Sequence, residues 1–364
     1  MPNVDITKLG KKFGRVVALS GVDLEIKDGE YLAILGPSGC GKTTLVNCLT
    51  GIVDITEGKI KIDGKNVEGI PIEKRDFAMV FQNIALFPHM TVAENITYAP
   101  FVNDISPSEL KKVESEMLKL VDLLEQKDLY PRALSGGAQQ KTAVARALAT
   151  REKLLILDEP ISALDYKVRV TLRYAIRKLV KELGLTAIHI THDQEEACSV
   201  ADRIVILRAG EIVEIGTPQE LYSSPQTLFT LNFLGESNFL EGVITEITSD
   251  GWIHISFRNN QSIGLLDDNV DFEEGESVVV AFRPENAFIS KKSTENSLIG
   301  DITGKQFIGG YFRYTIILRT DDEILLDSQL DLGSQGNVFI QLNPKEARIF
   351  RAPIYGLKKV LTLE

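Results

Sequence analysis

Gly36-Pro37-Ser38-Gly39-Cys40-Gly41-Lys42-Thr43-Thr44 follows an apolar run, Tyr31-Leu32-Ala33-Ile34-Leu35, and precedes Leu45-Val46-Asn47-Cys48-Leu49. Strand, glycine-rich turn and helix thus stand in the order a phosphate-binding loop requires. Glycines let the backbone curl until successive N–H groups aim at one anion. The positive end of the following helix faces the same point. Lys42 adds a full charge near the β- and γ-phosphates, and the Thr43 hydroxyl is placed to hold Mg²⁺. Spacing, strand and helix agree, so the stretch predicts binding of a nucleoside triphosphate.

A second apolar run, Leu154-Leu155-Ile156-Leu157, ends in Asp158-Glu159-Pro160. A short, fully apolar run reads as a buried parallel strand, whose C-terminal end is where α/β proteins place ligands. Asp158 is suited to order Mg²⁺ and Glu159 to polarise a water attacking the γ-phosphate. The acid pair points to ATP hydrolysis, since a GTPase more typically positions its water with a Gln. Between the two runs, Leu134-Ser135-Gly136-Gly137-Ala138-Gln139-Gln140 offers another anion-friendly helix start.

Together these stretches resemble the ATP-binding-cassette (ABC) ATPases, in which Ser135, Gly136, Gly137 and Gln139 fall on the signature. The other family elements occur in family order. Gln82, after Val80-Phe81, matches the glutamine loop; Ser162-Ala163-Leu164-Asp165 matches the loop after the acid pair; His192, in Thr191-His192-Asp193, matches the switch histidine. Phe13 lies where the family stacks an aromatic on adenine. Ala138 and Lys141 replace the Gln and Arg common in similar importers.

The resemblance implies two copies paired head to tail, each laying Ser135 and Gly137 on the other's ATP. Glu159, His192 and Gln82 are then catalytic, and Thr43, Gln82 and Asp158 surround Mg²⁺. Asp165 belongs to the loop after the acid pair. The implied partners are transmembrane permease subunits and, indirectly, an extracytoplasmic solute-binding protein; the implied location is the cytoplasmic face of the membrane. Phe81 to Asn95 looks closest to carbohydrate importers. A soluble ABC ATPase of DNA repair or translation is the alternative, but those forms insert a long coiled coil or carry two cassettes.

The chain has 364 residues and a net charge of −11, which argues for two domains and against a general nucleic-acid surface. Three cysteines, Cys40 and Cys48 among them, do not make a disulfide framework. Cys40 reads as a small loop filler. Met1 to Asp5 leads into a polar stretch without a signal peptide's apolar segment. No run reaches the ~18 apolar residues of a membrane span, so other subunits are expected to supply the spans.

Strand and helix alternate to about Gly235, which predicts a parallel α/β core. An antiparallel β layer is expected before it, from the alternation up to Ile34 and from Gly58 to Gly64. A helical subdomain is expected between Asn83 and Ala149. Ser106-Pro107-Ser108-Glu109 reads as a helix start, followed by a core stripe of Leu110, Val113, Met117, Leu120, Val121 and Leu124. Tyr166 to Leu183 reads as a helix ended by Gly184, and Thr186 to Thr191 as a strand in which His189 is structural. Glu195 and Glu196 read as a solvated helix face, and His89 as a surface or partner contact.

Residues 236–364 change texture. Val243–Ile247, Trp252–Ile255, Ser277–Phe282 and Tyr314–Leu318 are strand-like and separated by turns, predicting a small β-barrel. Trp252 is expected in its core. Phe282-Arg283-Pro284-Glu285 resembles a segment of the OB-like regulatory (TOBE) domain of such importers. The expected division is therefore 1–235, an α/β ATPase domain, and 236–364, an all-β domain.

Overall fold

The computed structural model describes residues 3–162, 164–266, 272–290, 294, 296–334 and 336–362. Ala163, in the loop matched after the acid pair, lies outside them. The chain divides into two compact units, residues 1–219 and 220–363.

The first unit begins with an antiparallel sheet in the order β2-β1-β4-β5, built from β1 (Val4–Phe13), β2 (Val16–Ile26), β4 (Glu57–Ile62) and β5 (Lys65–Asn66). This is the expected β layer. The central sheet has the order β10-β9-β3-β8-β7-β6. Its members are β3 (Tyr31–Leu35), β6 (Phe77–Val80), β7 (Leu154–Asp158), β8 (Thr186–Thr191), β9 (Arg203–Arg208) and β10 (Glu211–Gly216). All pairs in it are parallel except the β9–β10 hairpin at the edge.

Side chains of the central strands alternate between two cores, which is why β3 and residues 154–157 of β7 are apolar without interruption. Leu154 and Ile156 pack with α1 (Lys42–Thr50) and the antiparallel sheet. Leu155 and Leu157 point the other way, into the cluster shared by α2 (Val92–Val102), α3 (Pro107–Leu120), α4 (Gly136–Ala149) and α5 (Tyr166–Glu182). Tyr31, Ala187 and Leu157 share that second face. The short helix α6 (Gln194–Val200) follows β8.

Val113, Met117 and Val121 of the expected stripe are buried, while Leu124 is exposed. Helix α3 stops at Leu120 and the chain turns at Asp122, φ 55°, so Leu124 leaves the helical face. Ser106 caps α3 as expected, but the reciprocal capping box forms at Thr91 and Glu94 of α2. Helix α5 ends as expected, with Gly184 at φ 64°. No described helix is long and apolar enough to cross a membrane.

The second unit opens with α7 (Pro218–Ser223), which spans the division, and α8 (Leu228–Phe233). Two antiparallel sheets follow. One runs β13-β12-β11-β14-β20, from β11 (Asn238–Ile247), β12 (Trp252–Ser256), β13 (Ser262–Leu266), β14 (Ser277–Phe282) and β20 (Arg348–Arg351). The other runs β15-β19-β16-β17-β18, from β15 (Ala287–Ser290), β16 (Leu298–Phe307), β17 (Phe312–Leu318), β18 (Glu323–Ser328) and β19 (Gly336–Leu342). Their inner faces share one core. This is the expected β-rich domain.

The division falls ahead of residue 236 because α8 belongs to the sheets: Leu228 and Leu231 pack on Val279 and Ala281. Arg283 fastens the same junction, donating to Leu231 O at 2.8 Å, Gly235 O at 2.9 Å and Ser237 Oγ at 2.8 Å. Trp252 is not in the core. With a period of two, Ile253 and Ile255 take the inner face, and Trp252 lies half-buried over Gly264 on the other.

Candidate active site

Parallel register brings four loops to one edge of the central sheet. Leu35 pairs with Thr191 and with Ile206, Asp158 with Ile190, and Val80 with Leu157. The glycine-rich loop, the Asp158–Glu159 turn, His192 and the loop carrying Gln82 therefore all leave the sheet at the same level. This is the edge where open α/β sheets bind ligands.

The glycine-rich loop is shaped as the sequence predicts. Gly39 and Gly41 have φ of 79° and 110°, values that side chains rarely adopt. A Cβ at Gly36 would stand 2.2 Å from Leu207 O, and one at Gly41 2.7 Å from Ala18 O. Lys42 is 8% exposed, and its ammonium donates to Gly36 O at 2.7 Å and Pro37 O at 2.8 Å. A buried cation at a helix start, ringed by backbone of this shape, fits a polyphosphate. Thr43, one residue on, is exposed, Thr44 is half-buried, and Ser38 is exposed at the loop tip. Cys40 is buried, as a loop filler should be, and burial pushes its thiol up.

Asp158 closes β7 at 4% exposure. Burial, then the neighbouring Glu159, raise its carboxyl above the usual range, against the pull of Lys42 and His189. Such a carboxylate gains from a cation. Among the described residues, no cluster of three or more His, Cys, Asp or Glu surrounds a metal position. Thr43, Asp158 and the exposed Gln82 fit Mg²⁺ nonetheless, because this ion is bound by one or two carboxylates plus phosphate and water oxygens.

Glu159 sits at φ 47°, with its N–H donating to Ile190 O at 2.9 Å. Its Oε1 lies 3.0 Å from Nδ1 of His192, whose ring is exposed. The left-handed turn lifts the carboxylate off the strand and toward the histidine. A non-glycine residue in that region is strained, and strain of this kind collects at functional sites. Phe13 ends β1 at 49% exposure, with the Lys11 ammonium 4.7 Å from its ring centre.

Ser135 is the N-cap of α4, its Oγ accepting from Ala138 N at 3.2 Å. Ser135 and Gly136 are exposed, and a Cβ at Gly136 would meet nothing within 4 Å. Gln139 does not reach outward: its amide donates to Pro131 O at 3.0 Å and braces the turn before α4. Ala138, in place of the usual Gln, is buried. Asp165 caps α5, accepting from Val168 N at 3.1 Å.

Sequence reading missed three contributors. Gln140 donates to Glu159 O at 3.2 Å and ties the signature helix to the acid turn. Arg75 donates to Leu49 O at 2.8 Å and Ile70 O at 2.9 Å, holding the end of α1. Glu196 overturns the reading of a solvated face. It is 3% exposed, because α6 turns it under β8 while Glu195 takes the solvent side. A helix of 7 residues has no periodicity long enough to show which of two adjacent acids faces inward.

Comparison with known proteins agrees with this geometry. Residues 19–162 match the family described as ABC transporter. The spermidine/putrescine import ATP-binding protein PotA of Clostridium novyi is 37% identical over 357 residues, 98% of each chain. That of Thermobifida fusca is 36% identical over 336 residues, covering 90% of this chain and 87% of that protein. The Fe(3+) ions import ATP-binding protein FbpC of Fusobacterium nucleatum is 35% identical over 354 residues, 96% and 93% of the two chains. Among solved structures, the ATP-binding cassette MJ0796, in a dimeric post-hydrolysis state with ADP and Pi, superposes with a TM-score of 0.54. It is 33% identical and covers 59% of this chain and 98% of its own.

Proposed function

The chain belongs to the ABC transporter family, as an ATP-binding and ATP-hydrolysing subunit of importer type, and from that premise we propose that it works as a head-to-tail homodimer driving solute import through separate transmembrane permease subunits. The observation that carries this reading is the convergence of Lys42, Asp158 and the Glu159–His192 pair on one edge of the sheet.

The geometry supports the following residue roles. Residues 36–44 cradle the phosphates, and Phe13 stacks on the adenine from the antiparallel sheet. Thr43, Asp158 and Gln82 would hold Mg²⁺, which when bound neutralises charge on the β- and γ-phosphate oxygens. Glu159 orients the attacking water and accepts its proton. His192 keeps the Glu159 carboxylate in place and faces the γ-phosphate. Ser135, Gly136 and Gly137 present an exposed helix start to the partner's nucleotide, Gln139 braces that start, and Asp165 stands at the seam. The second unit is a regulatory domain, and the protein works at the cytoplasmic face of the membrane, with a solute-binding protein delivering cargo from outside.

For the cargo, the relatives' names weigh toward a small cation, spermidine or putrescine first. The likeness of Phe81 to Asn95 to carbohydrate importers supports the rival reading. Uptake of labelled spermidine and of a labelled sugar, in cells with and without this chain, separates the two. The dimer itself is tested by dilution. Phosphate release per molecule is expected to fall as the protein is diluted through its pairing threshold; a constant rate refutes the shared site.

A further inference from the structure

A chain of buried polar groups runs beneath the histidine loop. Tyr31, His189, Thr191 and Glu196 are 0%, 1%, 1% and 3% exposed. Tyr31 OH lies 2.8 Å from His189 Nδ1. On the other side of the ring, His189 Nε2 stands 3.0 Å from Glu196 Oε1, off the line of an ideal hydrogen bond. The second oxygen, Oε2, accepts from Thr191 Oγ1 at 2.7 Å. Thr191 Oγ1 in turn accepts from Asp193 N at 3.0 Å, and Asp193 Oδ1 accepts from Glu196 N at 2.9 Å. Of the two neighbours of His192, Thr191 is thereby tied directly to the buried carboxylate and Asp193 through the Thr191 hydroxyl.

The chemistry of the chain is consistent along its length. Burial pushes the Tyr31 hydroxyl far above the ordinary phenol range, so it keeps its proton. Opposite the Glu196 carboxylate, Nε2 of His189 is assigned the ring proton, which leaves Nδ1 to accept from Tyr31 OH. Burial alone would raise the Glu196 carboxyl, but His189, Thr191 and Arg173 outweigh it and hold it below the usual range. Stability does not require this arrangement, because replacing both partners of a buried hydrogen bond by apolar groups of the same shape can be nearly neutral or stabilising. The flanking strands offer such surroundings: His189 pairs with Ala33 in β3 and with Leu157 in β7.

We propose that Tyr31, His189, Glu196 and Thr191 form a buried strut that positions His192 against Glu159. These are positioning residues, and the inference rests on the hydrolytic role of the Glu159–His192 pair given above. The His192 ring is exposed and is directed by the backbone on either side of it. A displacement of about 1 Å at a reacting group can cost roughly a hundredfold in rate.

The test uses the full chain. His189→Leu is expected to lower kcat about tenfold with KM for MgATP within about twofold, as for an interaction made only in the transition state. His189→Gln, which keeps a donor toward Glu196, recovers most of the loss. In a His192→Ala background, measured by single turnover, His189→Leu costs nothing further. The four histidines, His89, His189, His192 and His254, also give a small set of imidazole NMR signals. Tyr31→Phe, which removes one hydroxyl and little else, is expected to move the His192 signal and leave His89 and His254 unchanged. This arm serves if His189→Leu does not fold. A full additional loss in the His192→Ala background, or an unmoved His192 signal, overturns the strut. Wild-type protein without MgATP hydrolysis would instead overturn the functional reading, while the NMR arm still reports on the strut.

Discussion

Replacing Glu159 by Gln removes one proton acceptor and almost nothing else. The side chain keeps its length, and its amide oxygen can still face His192 Nδ1, now 3.0 Å from Oε1. The backbone bond from Glu159 N to Ile190 O is untouched. Folding and nucleotide affinity should therefore match the wild type. Loss of a positioned general base typically costs about 10²- to 10⁴-fold in rate, which corresponds to roughly 3–5 kcal/mol of barrier. Phosphate release at saturating MgATP reads kcat, and gel filtration with ATP should show accumulated dimer. Glu159→Gly makes a sharper companion. It relieves a left-handed residue, worth about 1–2 kcal/mol, but adds chain entropy to the unfolded state worth about 0.4–1 kcal/mol. The difference is a net stabilisation of roughly 0–1.6 kcal/mol, so melting should hold or rise while hydrolysis is lost. A Glu159→Gln protein within tenfold of wild-type kcat would refute the assignment of Glu159 as base.

Lys42→Ala should weaken ATP binding by at least about tenfold, since a charge-assisted hydrogen bond contributes about 1.5–3 kcal/mol; fluorescent-nucleotide titration reads it, and unchanged affinity removes Lys42 from the site. Ser135→Arg should leave nucleotide affinity intact but block dimer closure and turnover, because the serine is an exposed N-cap at an open helix start; normal turnover would end the trans-contact reading. Folding raises the Asp158 carboxyl, which therefore binds its proton more tightly in the native state, so stability falls as pH rises from the ordinary carboxylate range through the raised value. Asp158→Asn should accordingly melt higher than wild type at pH 7 without nucleotide, and the difference should vanish in acid, where both side chains are neutral; an equal Tm at pH 7 contradicts this.

Most of the site was legible because its chemistry is local. A glycine-rich turn between an apolar run and a helix can be read in nine residues, and the acid pair needs only the strand before it. The second domain was legible only in outline: β14 and β17 show themselves as apolar β-branched runs, but α8 carries no sign that it packs on Val279 and Ala281. Trp252 was misplaced for a related reason. Alternation says that Trp252 and Ile253 face opposite ways, not which of them faces inward.

The order of motifs along the chain determined the glycine-rich loop, the acid turn, the place of His192 after β8 and the alternation of strand and helix, because each depends on residues within a few positions of one another. Tertiary structure alone decided that Glu196 is buried, that Arg283 ties α8 to the sheets and that Tyr31 meets His189. Those outcomes depend on strands and helices separated by up to 158 residues, and no local spacing encodes which side chain a distant strand will bring alongside.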